Sequence, residues 1–141
     1  MQIRRLAGWI PAVLILLFVY TGCSKLFDLE SFTHTLYNQP IPRPLVPLLV
    51  LILPALEIAT AACLLFDRTR LIGLYSGLAL LTVFTLYIGA ILVHLFTKVP
   101  CSCGGIFRRL SWGQHFWLNL ALLILAAAAL RHHQTYPYAK D

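Results

Sequence analysis

Two cysteines separated by a single serine are the residues of this chain whose types and spacing most directly predict chemistry. Cys101 and Cys103 flank Ser102, are followed by Gly104-Gly105, and lie between two long apolar stretches. A close cysteine pair in a short loop is typical of thiol–disulfide exchange or of soft-metal binding, and it can also form a permanent structural disulfide. The pair is therefore the first candidate for a catalytic site.

The neighbours of the pair favour reactive thiols. Attack on a disulfide requires a thiolate whose sulfur is accessible. Nearby cations favour the thiolate form, and three basic residues lie close in the sequence: Lys98, Arg108 and Arg109. The two glycines remove side-chain bulk, so a partner protein could approach closely. These features favour thiol–disulfide exchange, with a structural disulfide and Cu(I) binding as the alternatives.

A third cysteine is a candidate for the same site. Cys23 is predicted to lie in the last turn of the first apolar segment, on the membrane face that carries Cys101 and Cys103. A thiol there could resolve a mixed disulfide, so Cys23 is a candidate catalytic residue. The alternative is that it is a small buried side chain, which is also how we interpret Cys63. The cysteines lack the standard spacing of a zinc site, and no metal ligand is assigned.

Three polar residues within apolar segments are candidate cofactor-binding residues. Glu57 is the only carboxylate deep in such a segment, where a charge is costly, and its candidate roles are proton relay, contact with a quinone or a structural hydrogen bond. His115 and Asn119 are four residues apart and share one helix face. The residues specify no cofactor, and a quinone is the candidate. Lys25 lies nearer the membrane surface than Glu57, so a direct pair between the two is not expected.

The composition predicts that the chain lies in a lipid bilayer. Of its 141 residues, 60% are hydrophobic and only 11% are charged, whereas soluble domains are nearer half apolar and a quarter charged. The net charge of +6 is scattered between apolar runs as in membrane flanks. No basic block interleaved with aromatic residues is present, so binding to nucleic acid is not predicted.

Four apolar segments have the length of membrane spans, which need roughly 20 residues to cross about 30 Å of hydrocarbon. Their bounds are 9–27, 45–66, 71–96 and 112–130. Because only helices and closed barrels satisfy the backbone in lipid, these unbroken runs are predicted to be helices. Ser111 and Gln114 predict a capping box at the start of the fourth helix.

The connection between the first two spans predicts further structure. Residues 28–38 place Leu29, Phe32 and Leu36 at helical spacing, which predicts a short interfacial helix. The prolines from Pro40 to Pro47 then predict extended chain. The predicted fold class is all-α, a four-helix transmembrane bundle with a short interfacial helix after the first span, in a single integral membrane domain of residues 1–141.

The basic residues of the loops predict the orientation. Arg4 and Arg5 precede the first span, which favours a cytoplasmic N-terminus, and four spans return the C-terminus to the same side. The Cys101–Cys103 loop then faces the oxidising side of a bacterial inner membrane. In an alternative interpretation, residues 1–22 are a lipoprotein signal that ends at Cys23.

Three stretches of the chain resemble DoxX/MauE-type membrane proteins. The stretch from Gly22 to Asp28, followed by Phe32, resembles the first-helix signature of the DoxX type, and Pro54-Ala55-Leu56-Glu57 resembles its second helix. The stretch from Val99 to Gly105 resembles the Cys-x-Cys loop of the MauE branch, the methylamine-utilisation membrane proteins. The resemblance implies a four-helix fold and disulfide formation or electron transfer for a periplasmic partner.

These observations predict a membrane thiol–disulfide redox component that acts through Cys101 and Cys103. Its expected partners are a periplasmic thioredoxin-like or client protein, or other membrane subunits, and whether it is itself an enzyme stays open. One alternative is a non-catalytic subunit of a larger membrane complex, with the cysteine pair as a structural disulfide. Another is a carrier that holds a metal or small molecule by its thiols. Without a second outer cysteine pair, the chain is expected to act with a partner.

Overall fold

The protein folds into five helices in the computed structural model, which describes residues 2–97 and 111–135. Within these ranges the chain contains helices and no strand. The α-helices are α1 (Gln2–Phe27), α2 (Leu29–Tyr37), α3 (Val46–Leu65), α4 (Arg70–Leu92) and α5 (Trp112–Thr135), and a 3₁₀ turn at Arg43–Leu45 precedes α3. The predicted all-α class is confirmed, as is the short helix after the first span.

Four of the helical segments are long and apolar enough to cross a membrane: Gly8–Phe27, Arg43–Leu65, Arg70–Leu92 and Trp112–Thr135. Their outer faces are apolar as well. Leu16, Leu51 and Leu86 are 71%, 72% and 69% exposed. Water would not solvate such faces favourably, whereas lipid tails do, and the backbone of each helix is satisfied internally. The protein is therefore a multi-pass membrane protein.

The long helices form a closed bundle in which α1 packs on α3, α3 on α4, α4 on α5, and α5 back on α1. Successive spans run in opposite directions. The end of the bundle that holds Phe27, Val46, Leu92 and Trp112 is called here the α2 end, because α2 packs there against α3 and α1. The opposite end, where residues 66–69 join α3 to α4, is called the turn end.

Side-chain caps fix where α2 and α5 begin, both at the α2 end. The Asp28 carboxylate accepts a hydrogen bond from the Ser31 backbone N–H at 3.1 Å and starts α2. At α5 the predicted capping box is confirmed. The Ser111 N–H donates to Gln114 Oε1 at 3.0 Å, and the Gln114 N–H donates to Ser111 Oγ at 3.3 Å. Each cap satisfies a backbone donor that has no partner within the helix.

Two local expectations differ from the structure. The proline-rich stretch is not extended throughout, because Pro44 lies in the 3₁₀ turn and Pro47 in the first turn of α3. Proline is tolerated there since the first backbone N–H groups of a helix have no acceptor to lose. The other difference is the end of α4, which stops at Leu92 although the apolar run continues to Phe96. His94 adopts a left-handed backbone conformation, with φ of 55°, and breaks the helix.

At the turn end, two helices pack so closely at Gly73 that no side chain would fit there. A Cβ atom on Gly73 would lie 2.7 Å from the Leu64 backbone nitrogen, so α3 and α4 are in backbone contact there. The Thr69 hydroxyl donates to the Cys63 carbonyl at 2.9 Å and satisfies the end of α3. Apolar side chains of all four long helices fill the bundle from this end toward its middle, among them Leu14, Phe18, Leu64, Leu74, Leu81, Leu122 and Ala126.

Candidate functional site

A cavity of about 320 Å³ lies in the α2 half of the bundle, above the apolar core. All five helices contribute to its walls, which are mostly aliphatic and aromatic. The polar lining residues are Thr21, Ser24, Lys25, Asp28, Ser31, Gln39, Glu57, Tyr87, His115 and Asn119. Small-molecule sites are commonly apolar cavities of about 300–1,000 Å³ with a few converging polar groups. The cavity is therefore the candidate functional site within the described residues.

A buried ion pair crosses the cavity wall between α1 and α3. Lys25 Nζ lies 2.7 Å from Glu57 Oε1 and 2.9 Å from Oε2, and it also donates to the Thr21 carbonyl oxygen at 3.4 Å. The Glu57 side chain is only 2% exposed and that of Lys25 is 19% exposed. The three protons of the ammonium group thus all have protein acceptors. The expectation that Lys25 and Glu57 do not pair was wrong.

The pair forms because the two side chains lean toward each other. Every Cα–Cβ bond of a helix tilts toward the N-terminus of that helix. Lys25, near the end of α1, therefore points back into the bundle. Glu57 lies on the antiparallel helix α3 and tilts toward the α2 end. The Lys25 ammonium also lies 5.7 Å from the centre of the Phe32 ring, which contributes a cation–π contact from α2.

Gly22 provides the close helix approach that the pair needs. A Cβ atom at Gly22 would lie 2.9 Å from Ile58 Cγ1 and 3.4 Å from both Glu57 Cβ and the Pro54 carbonyl oxygen. A larger residue there would push α1 away from α3. Gly22 lies one helical turn before Lys25, so the spacing between these residues places the ammonium group over the carboxylate.

The opposite wall of the cavity carries a second set of polar groups. The Tyr87 hydroxyl donates to Gln39 Oε1, which ties α4 to the segment that follows α2. From α5, His115 and Asn119 both line the cavity, one helical turn apart. Asn119 is only 8% exposed, and its side-chain amide makes no hydrogen bond to any residue that the structure describes.

The structure brings three of the predicted site residues together, and Cys23, the one predicted site cysteine among the described residues, does not line the same cavity. Glu57, His115 and Asn119 all line the cavity, and their role in holding a cofactor stays a prediction. Cys23 is a half-buried free thiol of α1 and is not among the described lining residues. Cys101 and Cys103 lie outside the described residues, so their catalytic role stays a prediction as well.

Sequence reasoning missed the contribution of several polar residues to this cavity. Thr21, Lys25 and Asp28 follow one another at intervals of four and three residues, which places them on one face of a helix. That spacing predicts a polar stripe facing the bundle and could have identified Lys25. The contact between Gln39 and Tyr87 joins distant parts of the chain and has no local sequence pattern.

The described residues contain no group of three or more His, Cys, Asp or Glu side chains that could hold a metal ion. Instead the cavity offers an ion pair whose charges cancel, one unpaired amide and aromatic walls. This arrangement is suited to binding an organic molecule by hydrogen bonds and apolar contact, and the described residues around it supply no cluster of metal ligands.

Comparison with known proteins gives one clear relationship. No curated protein and no solved structure matches this chain. The family model described as "Methylamine utilisation protein MauE" matches residues 3–132, which is nearly the whole of the 141-residue chain. A match of this extent includes most or all of each span and the whole segment between α4 and α5, and on this basis the chain belongs to the MauE family of methylamine utilisation proteins.

Proposed function

We propose that this protein is a membrane thiol–disulfide redox component that acts on or with a periplasmic partner through Cys101 and Cys103. The observation that carries the proposal is the Cys-x-Cys sequence in the segment joining α4 to α5. Membership of the MauE family supports a role in methylamine utilisation. The last residue of α4 and the first residue of α5 belong to the α2 end of the bundle, where the polar cavity also lies, and this shared location supports a link between the cysteine segment and the cavity.

The proposed reaction is an exchange between two thiol–disulfide pairs. A thiolate of the partner attacks the Cys101–Cys103 disulfide, and one bond between the proteins replaces it. The second thiol of the partner then attacks that mixed disulfide, which leaves the partner oxidised and both loop cysteines reduced. Electrons balance because one disulfide is broken and one is formed. The partner proposed is a thioredoxin-like or client protein of the periplasm.

The orientation of the chain is part of the same proposal. Arg4 and Arg5 before the first span favour a cytoplasmic N-terminus, and four spans return the C-terminus to the same side. The loop cysteines would then face the periplasm, where disulfides persist. In this arrangement Cys23 is the auxiliary thiol, and Glu57, His115 and Asn119 are the candidate cofactor-binding residues.

A Cys103→Ser variant tests the exchange. In a Cys23→Ser background, the Cys101 thiolate of this variant can still attack the disulfide of an oxidised partner, which is the reverse of the second step. The mixed disulfide should accumulate, because the Cys103 thiol that would displace the partner is absent. Non-reducing electrophoresis of whole cells and mass spectrometry of the reducible adduct give the readout. Cys63→Ser is the matched control and should form no adduct, because Cys63 lies at the turn end.

Absence of an adduct in both Cys103→Ser and the reciprocal Cys101→Ser variant would contradict the proposal. If these variants only lower the stability of the protein or of a complex that contains it, the cysteine pair is a structural disulfide. That result would favour the non-catalytic subunit. Retention of copper on the purified protein, lost on either substitution, would favour the carrier instead.

Thiol labelling tests the orientation. After mild reduction of spheroplasts, a membrane-impermeant maleimide should label Cys101 and Cys103 and leave Cys63 unmodified. A Cys23→Ser background limits the readout to these three thiols. In inverted vesicles we expect the loop cysteines to be protected. Labelling of Cys63 in spheroplasts together with protection of the loop would contradict the proposed topology.

A further inference from the structure

The cavity at the α2 end has an opening that faces lipid. Val83 lines the cavity, and its side chain is 62% exposed. It lies well inside the membrane-spanning helix α4, so the exposed face of this residue contacts hydrocarbon. Asp28 lines the cavity near the end of α1 and is exposed there. A molecule dissolved in the bilayer can therefore enter the cavity sideways, past Val83.

The unpaired amide of Asn119 indicates what such a molecule carries. This side chain is more than nine-tenths buried, lines the cavity and makes no hydrogen bond to any described residue. A buried polar group without a partner costs free energy. A ligand with a carbonyl or hydroxyl group beside Asn119 would supply the missing hydrogen bond. The site thus favours a ligand with a polar head over a purely apolar one.

The charges of the described lining residues disfavour anionic heads. Lys25 is the only lysine or arginine among the described lining residues, and its ammonium protons are directed at Glu57 and at the Thr21 carbonyl. Asp28 adds a second carboxylate to the lining. A carboxylate or phosphate head would therefore lie near two carboxylates of the protein and only one ammonium group, which is already paired. A neutral head is expected.

The walls favour a flat ring. Five aromatic side chains from four of the helices line the cavity: Phe18, Phe32, Phe84, Tyr87 and Trp112. Aromatic rings stack on one another or meet edge to face with favourable geometry. A volume of about 320 Å³ holds a substituted ring but not a long tail, which must leave through the opening at Val83.

We infer that the cavity binds the ring of a lipid-soluble quinone, with a ring carbonyl accepting a hydrogen bond from the Asn119 amide and the isoprenoid tail leaving past Val83. A quinone is neutral, planar, membrane-soluble and carries carbonyl acceptors. It therefore meets each requirement of the site. Its carbonyl pairs with the amide, it adds no charge beside the ion pair, its ring fits the aromatic walls, and it can enter from the lipid.

The role of the quinone as an electron acceptor rests on the proposed function, whereas its binding in the cavity does not. Oxidation of the Cys101 and Cys103 thiols to a disulfide releases two electrons and two protons. Reduction of a quinone to a quinol takes up the same number of each at its two ring oxygens. The quinone would thus be the acceptor that returns the loop cysteines to the disulfide after each exchange with the partner.

A lipid-facing substitution tests the site without disturbing the core. The purified full chain is labelled with a photoreactive azido-ubiquinone, and ubiquinone-1 is added as a competitor. Val83→Trp should obstruct the opening and weaken competition by about tenfold or more, a difference of at least about 1.4 kcal/mol. Leu86→Trp is the matched control, because Leu86 is on the same helix, is 69% exposed and is not among the described lining residues. It should bind as the parent protein does.

Two further comparisons separate recognition of the head from simple partitioning. Asn119→Leu should also weaken ubiquinone-1 by about tenfold, since one buried hydrogen bond is lost, whereas Thr85→Val, buried but outside the described lining, should not. Farnesol has the isoprenoid tail without the ring and should compete poorly. Equal behaviour of the Val83→Trp and Leu86→Trp variants, or competition by farnesol equal to that of ubiquinone-1, would overturn the inference.

The Cys101→Ser/Cys103→Ser double variant distinguishes this inference from the proposed function. It should bind ubiquinone-1 with the affinity of the parent protein, because the inferred contacts with the quinone come from described lining residues, none of which is a cysteine. If quinone binds and Cys103→Ser traps no partner, the proposed function fails and the quinone site stands. If Cys103→Ser traps a partner and azido-ubiquinone labels no lining residue, the quinone inference fails alone.

Discussion

Lys25→Met is expected to destabilise the bundle by about 3–5 kcal/mol, the cost of removing one partner from a buried ion pair. The substitution leaves the Glu57 carboxylate, which is 2% exposed, without the cation that accounts for its burial. The free energy of unfolding can be measured by titrating the purified protein with SDS in mixed micelles and following its helical circular dichroism.

Two variants determine whether burial is the cause. Lys25→Met combined with Glu57→Leu should recover stability to within about 1 kcal/mol of the parent protein, because an apolar pair can replace a buried ion pair without loss. Asp67→Asn breaks the exposed pair with Arg70, in which Asp67 is 75% exposed, and should cost no more than about 1 kcal/mol. A similar small loss for Lys25→Met would contradict the importance assigned to the buried pair.

Gly73→Ala is expected to destabilise the protein by about 3 kcal/mol, at the upper end of the cost of overpacking a core. The added methyl group would lie 2.7 Å from the Leu64 backbone nitrogen and 3.0 Å from the Cys63 carbonyl carbon. Neither atom can move without shifting α3. The same SDS titration measures the loss.

Gly113→Ala is the matched control for this substitution. A Cβ atom at Gly113 has no atom of the other described helices or loops within 4 Å, and alanine is the better helix former by up to about 1 kcal/mol. The variant should therefore be as stable as the parent protein or slightly more stable. A loss of stability at Gly113 as large as that at Gly73 would contradict the assigned cause, because it would show that alanine destabilises this protein even where α3 and α4 are not in contact.

The helices were predictable because the sequence features that determine each of them lie within the helix itself. An apolar run as long as the bilayer is thick admits no other backbone structure, and the Ser111–Gln114 box sets the start of α5 through contacts within one turn. The end of α4 was not predictable in this way. His94 is followed by apolar Leu95 and Phe96, so the break in the helix leaves no mark in the hydropathy.

The cavity was only partly predictable because its polar groups meet through tertiary contacts. Glu57, His115 and Asn119 could be selected as polar residues in apolar segments, where they are costly. Lys25 was judged by its depth along α1 alone. Its pairing with Glu57 depends on the tilt of two antiparallel side chains and on the close approach at Gly22, and both follow only from the packing of α1 on α3.

The order of the ion pair along the chain has a consequence for how the protein is made. Synthesis releases the N-terminal parts first, so α1 with Lys25 can enter the bilayer before α3 delivers Glu57. Lys25 is near a helix end, and until then its long side chain can reach the lipid headgroups. Glu57 lies deep in its span, so its side chain cannot reach the headgroups. A charge at that depth costs about 2.5–3.5 kcal/mol on insertion. Because Lys25 precedes Glu57 in the chain, the base is already in the membrane when the more deeply placed acid is inserted, and Glu57 can pair with it at once.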